Sequence, residues 1–374
     1  VGRVIVGILV ACVIVLTGCQ GSFPYAKDAP PLHLDPQRKA AIGGISIEQW
    51  LPFEVNPFSF VQVSEWLSDH ELLLLFDENE VSTLQRASIE TGNQEDFFSV
   101  EEPILKVEAN ADHSLFAIQT ASEDFKAPLY VVDQSGTLIY ENNNLGEDYS
   151  LYWNPYHTDE IIIVSYLPDW EFEVYHLYVN ENRLLPLPIE QTFFQWLGPT
   201  KVGYLDWHPY EPSFEAPLMT IDLETQERNK MFDDVIAAFS FENDYYMTIT
   251  VDDPTNPMSV YTFYQDGHVL STLEVPNLNT YSEQWWIPFH DFDAEHYQFY
   301  YLRPFYSGDF YGYDAGYQLM KYDILKGEET AVIEVDQHIP IKLGPNGQWL
   351  LVGHQFDQIV NIEKKETQAV IELK

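Results

Sequence analysis

Seven strongly hydrophobic segments begin near Leu72, Leu115, Ile161, Val202, Tyr245, Phe299 and Trp349, at intervals of 43, 46, 41, 43, 54 and 50 residues. No other feature of the chain restricts its fold as much. Each segment follows a short strand that often ends in an aromatic residue, as at Trp66, Trp153, Trp196 and Phe239. Each is followed by a variable loop, a third strand, a tight polar turn and a fourth strand. The tight turns recur in step: Glu90-Thr91-Gly92, Asp133 to Gly136, Asn180 to Asn182, Asp222 to Thr225, Gln265 to Gly267, Asp323 to Gly327 and Glu363 to Thr367. Asp, Asn and Gly suit such turns because they accept positive φ or bond to nearby backbone.

A period of 40–50 residues with four strands per repeat predicts an all-β protein, a β-propeller of four-stranded antiparallel blades. Runs such as Leu72 to Leu75 and Ile161 to Val164 are apolar on consecutive residues. That pattern belongs to strands covered on both faces, here by the neighbouring blades. A tandem of β-sandwiches would instead repeat at about 100 residues. From about residue 58 to the end, seven blades take about 45 residues each and six would take about 53; the count predicts seven, with six as the alternative. Ile45 to Glu48 has the look of an extra closing strand, although the last repeat already supplies four.

Upstream of the repeats, Arg3 precedes an apolar run from Val4 to Val15, and Leu16-Thr17-Gly18-Cys19 follows. The run is shorter than the roughly 20 residues that span a bilayer. Together these features read as a lipoprotein signal peptide over residues 1–18, with a lipobox that makes Cys19 the acylated, palmitate-bearing first residue. Residues 19–44, rich in Pro, Gly, Ala and charge, read as a flexible tether, and residues 45–374 as the propeller. The expected location is the extracellular side of the cell membrane. Cleavage would leave 356 residues and no second cysteine, so no disulfide is expected and packing must hold the fold.

The mature chain would carry 17 basic and 59 acidic side chains. Such a balance argues against nucleic acid and against electrostatic adsorption to anionic lipid, both of which are polyanions. It does not imply disorder, because 45% of residues are hydrophobic and 15% aromatic. Solubility in alkaline or saline surroundings accounts for the charge more simply than an acidic-ligand role. The lipobox, the acidic tether and repeats lacking a WD or Kelch signature together resemble the YqgU-like β-propeller lipoproteins of Gram-positive bacteria. That resemblance implies the same location and fold with a six-bladed ring, and it carries over no catalytic residue.

Propeller topology puts the first-to-second and third-to-fourth turns on one face. The second-to-third loops and the links between blades lie on the other. Here the second-to-third loops are the long ones, and they gather aromatic and acidic residues. Trp170, Trp207, Tyr210, Phe305, Tyr306, Tyr311 and Tyr313 are the candidates for stacking, and Asp169, Asp252, Asp253 and Asp309 for polar contacts. Rings stack on sugar faces or receive cations, carboxylates bond hydroxyls or amines, and proline stiffens the loops. The competing account is that the rings only pack the loops on themselves. Asp252-Asp253 and the run Asp291 to Glu295 offer oxygen donors of the kind calcium takes, but neither has EF-hand spacing. No cofactor or metal is therefore expected. His70, His113 and His157 fall at equivalent first turns of three blades and read as turn residues. No G-x-S-x-G elbow, H-E-x-x-H helix or phosphate-cradling loop occurs. The function expected is a non-enzymatic, monomeric binding or scaffold module with an extracellular protein or wall glycan as partner. The alternative is an extracellular carbohydrate-active hydrolase or lyase using carboxylates of the same face.

Overall fold

The computed structural model describes residues 51–121, 126–208, 213–251, 258–279 and 286–374. They form seven four-stranded antiparallel sheets, each built from strands taken in chain order. Seven is therefore the blade number. The third blade is representative, with strands Asp148–Trp153, Glu160–Tyr166, Phe172–Tyr178 and Arg183–Leu187. Second strands begin within one residue of the positions read from the hydrophobic repeat. Among the described residues the only helical elements are two three-residue 3-10 turns, Pro168–Trp170 and Phe310–Gly312.

Consecutive apolar residues are explained by two-sided packing. Leu73 and Leu75 face the second blade, where they meet Phe116 and Ile118. Leu72 and Leu74 face the seventh, meeting Leu351 and Ile359. In the third blade, Ile161 and Ile163 pack toward the second blade while Ile162 and Val164 pack toward the fourth. Each of these side chains is fully buried, a stabilisation of roughly 2 kcal/mol apiece.

The expected closing strand at residues 45–48 lies outside the described residues. Among those described, Phe53–Val55 pairs in parallel with Ile371–Leu373, beside a seventh blade that already has four strands of its own. Phe53 and Val55 are buried between the first and last blades. Polar bonds between innermost strands join neighbouring blades, at the closure and elsewhere in the ring. One Glu65 oxygen (Oε2), on the first blade, accepts from Lys342 Nζ of the seventh at 2.6 Å and from the Ala109 N–H of the second at 3.2 Å. Asp291 of the sixth blade accepts from the Leu343 N–H at 2.7 Å. Gln195 of the fourth accepts from the Ser240 N–H of the fifth at 2.8 Å. Burial pushes Lys342 down, but Glu65 beside it more than offsets this, and the ammonium is held above its ordinary value.

The turn face is held by backbone capture. Asn110 donates to the Thr158 carbonyl of the next blade at 2.7 Å, and Asn154, one repeat later, to the Pro199 carbonyl at 3.1 Å. His113 bonds the Trp66 carbonyl, and His157 bonds Glu160 within its own turn. His70 lies 3.8 Å from Glu90. These three histidines occupy turns of separate blades.

Candidate functional site

The sixth blade has strands His290–Asp293, Gln298–Pro304, Tyr317–Asp323 and Glu328–Val335. Its second-to-third loop, residues 305–316, belongs to the aromatic-acidic face and is braced at several points. Gly308–Asp309 pairs in parallel with Leu278–Asn279 of the preceding link. Asp309 caps the 3-10 turn, accepting from the Gly312 N–H at 3.1 Å. The Tyr313 hydroxyl donates to the Gly316 carbonyl at 2.6 Å and accepts from the Phe305 N–H at 2.8 Å. Gly316 has φ +74°, and a Cβ there would lie 2.9 Å from the Val335 carbonyl oxygen, so the position requires glycine.

Aromatic stacking supports the loop from beneath. Trp286 lies 6.0 Å from Phe310 and 5.7 Å from Tyr317, centroid to centroid. His338, in the link to the seventh blade, stacks on Phe289 at 4.3 Å and sits 4.7 Å from Trp286. Its Nε2 accepts from the Phe289 N–H at 3.1 Å, which fixes the neutral ring with that nitrogen unprotonated. Burial, aided by His354, lowers the His338 pKa to about 4. An unfolded histidine takes up its proton near pH 6.5. Between these values the unfolded chain binds a proton that the fold refuses, so stability falls as pH drops through the window and levels off below it. We expect roughly 1–2 kcal/mol of acid destabilisation after allowing for solvent screening. Denaturation midpoints from pH 7 to 4 (about neutral to the folded value) should show this for the native chain and a flatter profile for His338→Asn.

Above this base, Phe305, Tyr306 and Tyr311 are 49%, 50% and 70% exposed. The loop thus divides its predicted residues by role. Asp309 and Tyr313 brace it, and Phe305, Tyr306 and Tyr311 present its surface. Trp207 is exposed on the corresponding loop of the fourth blade, and Asp169 on that of the third, where it takes φ +65°. Tyr210, Asp252, Asp253 and Cys19 lie outside the described residues, as does the Trp170 side chain. Among the described residues no group of three or more His, Cys, Asp or Glu could hold a metal ion. Asp293 accepts from the N–H groups of Glu295 and His296 and lies 2.8 Å from His296 Nδ1.

One asymmetry extends beyond the sixth blade. The exposed aromatic residues among those described are Phe58, Phe193, Trp207, Phe214, Phe289, Phe305, Tyr306 and Tyr311. All lie on loops or links of one face, and none on the turn face. Phe58, Phe193, Phe214 and Phe289 were not among the sequence candidates. A usable signal was present in Phe193-Phe194, where one ring is buried and the other is 75% exposed.

The comparisons agree with this architecture. The lipoprotein YqgU of Bacillus subtilis is 22% identical over 307 residues, covering 82% of this chain and 83% of its own. Protein lmo1340 of Listeria monocytogenes superposes with a TM-score of 0.77 at 19% identity, covering 86% of this chain and 97% of that one. The β-propeller domain of the Trilobed protease from Pyrococcus furiosus, at 11% identity, gives 0.58 over 84% of this chain and 98% of its own. At these identities the structural likenesses speak for the fold alone. The model of the YqgU-like 6-bladed β-propeller domain matches residues 88–353, a span holding five complete blades and parts of the first and seventh. With most of its length inside that match, the chain belongs to the YqgU-like β-propeller family, and it builds the ring with seven blades.

Proposed function

We propose that this protein is a lipid-anchored, non-enzymatic binding module on the extracellular side of the membrane, which holds a wall glycan or an envelope protein through its loop face. Kinship with a lipoprotein supports membrane attachment. Among the described residues, no helix is long and apolar enough to cross a membrane. The observation that carries the reading is the placement of every exposed aromatic residue, among those described, on one face. Phe289, Tyr306 and Tyr311 each pack one side on a neighbouring ring and leave the rest in water, and concentrating such exposed aromatic surface on one face marks a contact surface. The sixth-blade loop is a well-braced part of it among the described residues. Its rings are held by Tyr313, Asp309 and the Trp286–His338 stack, so little ordering cost remains on binding.

Retention of the protein on purified wall sacculi and on a solubilised envelope-protein fraction tests this. A stacked ring is worth about 1 kcal/mol, so Tyr306→Ala with Tyr311→Ala should weaken retention by about 10- to 30-fold. Leu325→Ala, on the opposite face, should change nothing. Equal retention of the tyrosine variant and the native chain would refute the assigned surface.

A further inference from the structure

The turn face holds a cavity of its own, at the seam between the fourth and fifth blades. In the fourth blade, Val202, Tyr204 and Ile221 pack toward the third, and in the fifth, Met247 and Ile249 pack toward the sixth. Alternation along each strand therefore turns Lys201 and Thr220 toward the fifth blade, and Tyr246 and Thr248 toward the fourth. The facing surfaces are polar, with Thr220, Tyr246 and Thr248 all buried. A cavity of about 300 Å³ opens there among the turns, beside Asp244 and Asp266-Gly267.

Charge is divided across this cavity. The fourth blade contributes Lys201 and Lys230, and the fifth contributes Asp244 and Asp266. Lys230 is paired with Asp233 at 2.5 Å, and Asp244 accepts from the Tyr156 hydroxyl of the third blade. Lys201 and Asp266 have no ion-pair partner among the described residues. Tyr246, which also lines the cavity, is 7% exposed and stacks on Tyr264 at 4.8 Å. Its hydroxyl has no hydrogen-bond partner among the described residues. A hydroxyl buried without a partner costs free energy that a ligand's acceptor offsets. Burial, with Tyr264 beside it, pushes the Tyr246 pKa up to about 12, so the group stays protonated and can donate.

We propose that this cavity binds a small zwitterion, a free amino acid or a dipeptide, with its carboxylate at Lys201 and its ammonium at Asp244 and Asp266. The net charge of −41 repels a ligand that is anionic overall, but not one whose own charges cancel. A purely cationic ligand would be opposed by Lys201, and a neutral sugar would leave both walls without a counter-charge. The volume lies at the small end for ligand pockets, which sets the ligand at metabolite size. The cavity is on the opposite face from Phe305, Tyr306 and Tyr311, so it stands apart from whatever those rings hold.

The test uses the full chain in lipid nanodiscs and saturation-transfer NMR, with empty nanodiscs as the blank. The probes are alanine, alanyl-alanine, N-acetyl-alanyl-alanine and alanyl-alanine amide. Alanyl-alanine should bind, and loss of either terminal charge should weaken it by about 10-fold. Lys201→Met should weaken alanyl-alanine by about 10-fold and leave the amide unchanged, because the amide has already lost the carboxylate that Lys201 meets. Asp266→Asn should act in the same way toward the ammonium, sparing the N-acetyl form. Asp266 has φ +49° ahead of Gly267, and Asn-Gly suits such a turn, so the fold is kept and an unshifted thermal midpoint checks this. Tyr306→Ala, on the other face, should bind alanyl-alanine as the native chain does. No saturation transfer to alanine or alanyl-alanine at about 10 mM, a level that reaches even millimolar affinity, would overturn the proposal. So would equal affinity for all the dipeptide forms, or glucose binding as tightly as alanyl-alanine. If the dipeptide fails to bind while Tyr306 and Tyr311 still control retention on sacculi or envelope protein, the cavity assignment is wrong and the loop face stands.

Discussion

Glu65→Ala is expected to destabilise the protein by about 3 kcal/mol, a large loss for one side chain of an inner strand. The carboxylate is buried and links three blades, through Lys342 Nζ, the Ala109 N–H and, by its other oxygen, the Trp66 N–H at 2.8 Å. Its removal leaves an ammonium deep in the ring without its counter-ion, with two backbone donors unpaired. Deleting one member of a buried pair usually costs about 3–5 kcal/mol. The lower end applies because the Lys342 side chain keeps 28% of its surface accessible. Replacing both partners, as Glu65→Leu with Lys342→Met, should recover most of the loss, since two apolar groups leave no stranded charge. Urea denaturation of the four proteins gives the cycle, with a coupling of about 2 kcal/mol expected. Additive single effects would show that the pair does not act as a latch.

Phe299→Ala should cost about 4 kcal/mol. Phe299 is fully buried on the second strand of the sixth blade and fills the seam with the fifth. Its ring lies 5.0 Å from Phe263, 5.4 Å from Tyr301, 5.5 Å from His290 and 6.2 Å from Tyr261. Truncation removes the apolar transfer gain, these ring contacts and the atoms that fill the space, and the rigid strands around it cannot collapse inward. Phe299→Leu preserves most of the volume and should lose less than about 1.5 kcal/mol. Calorimetry and urea titration would measure both, and near-equal losses would show that the seam tolerates a void.

Blade boundaries were readable because strand burial and turn chemistry leave local marks. A strand covered on both sides must be apolar at successive residues, as Leu72 to Leu75 are. A tight turn must hold Asp, Asn or Gly, as Asp133 to Gly136 does. The closing contact left no such mark. Phe53–Val55 and Ile371–Leu373 are three residues each, lie at opposite ends of the chain and pair in parallel, so no connecting turn announces them. Glu65 and Lys342 are charges set within apolar first strands, a pattern that signals buried partners without saying which residues meet. In the loops, composition located the aromatic face, but it could not separate Tyr311, which points outward, from Tyr313, which braces the loop. Irregular backbone has no period from which side-chain direction can be read.

Whether contact is made through the loop face is most directly measured in living cells with a photo-crosslinking amino acid. The reactive group would replace Tyr311 in one strain and Leu325, on the turn face, in another. Adducts to lipid or to an envelope macromolecule should form from position 311 and be absent from position 325. Adducts confined to position 325, or equal yields from both, would contradict a protein that works through its aromatic side.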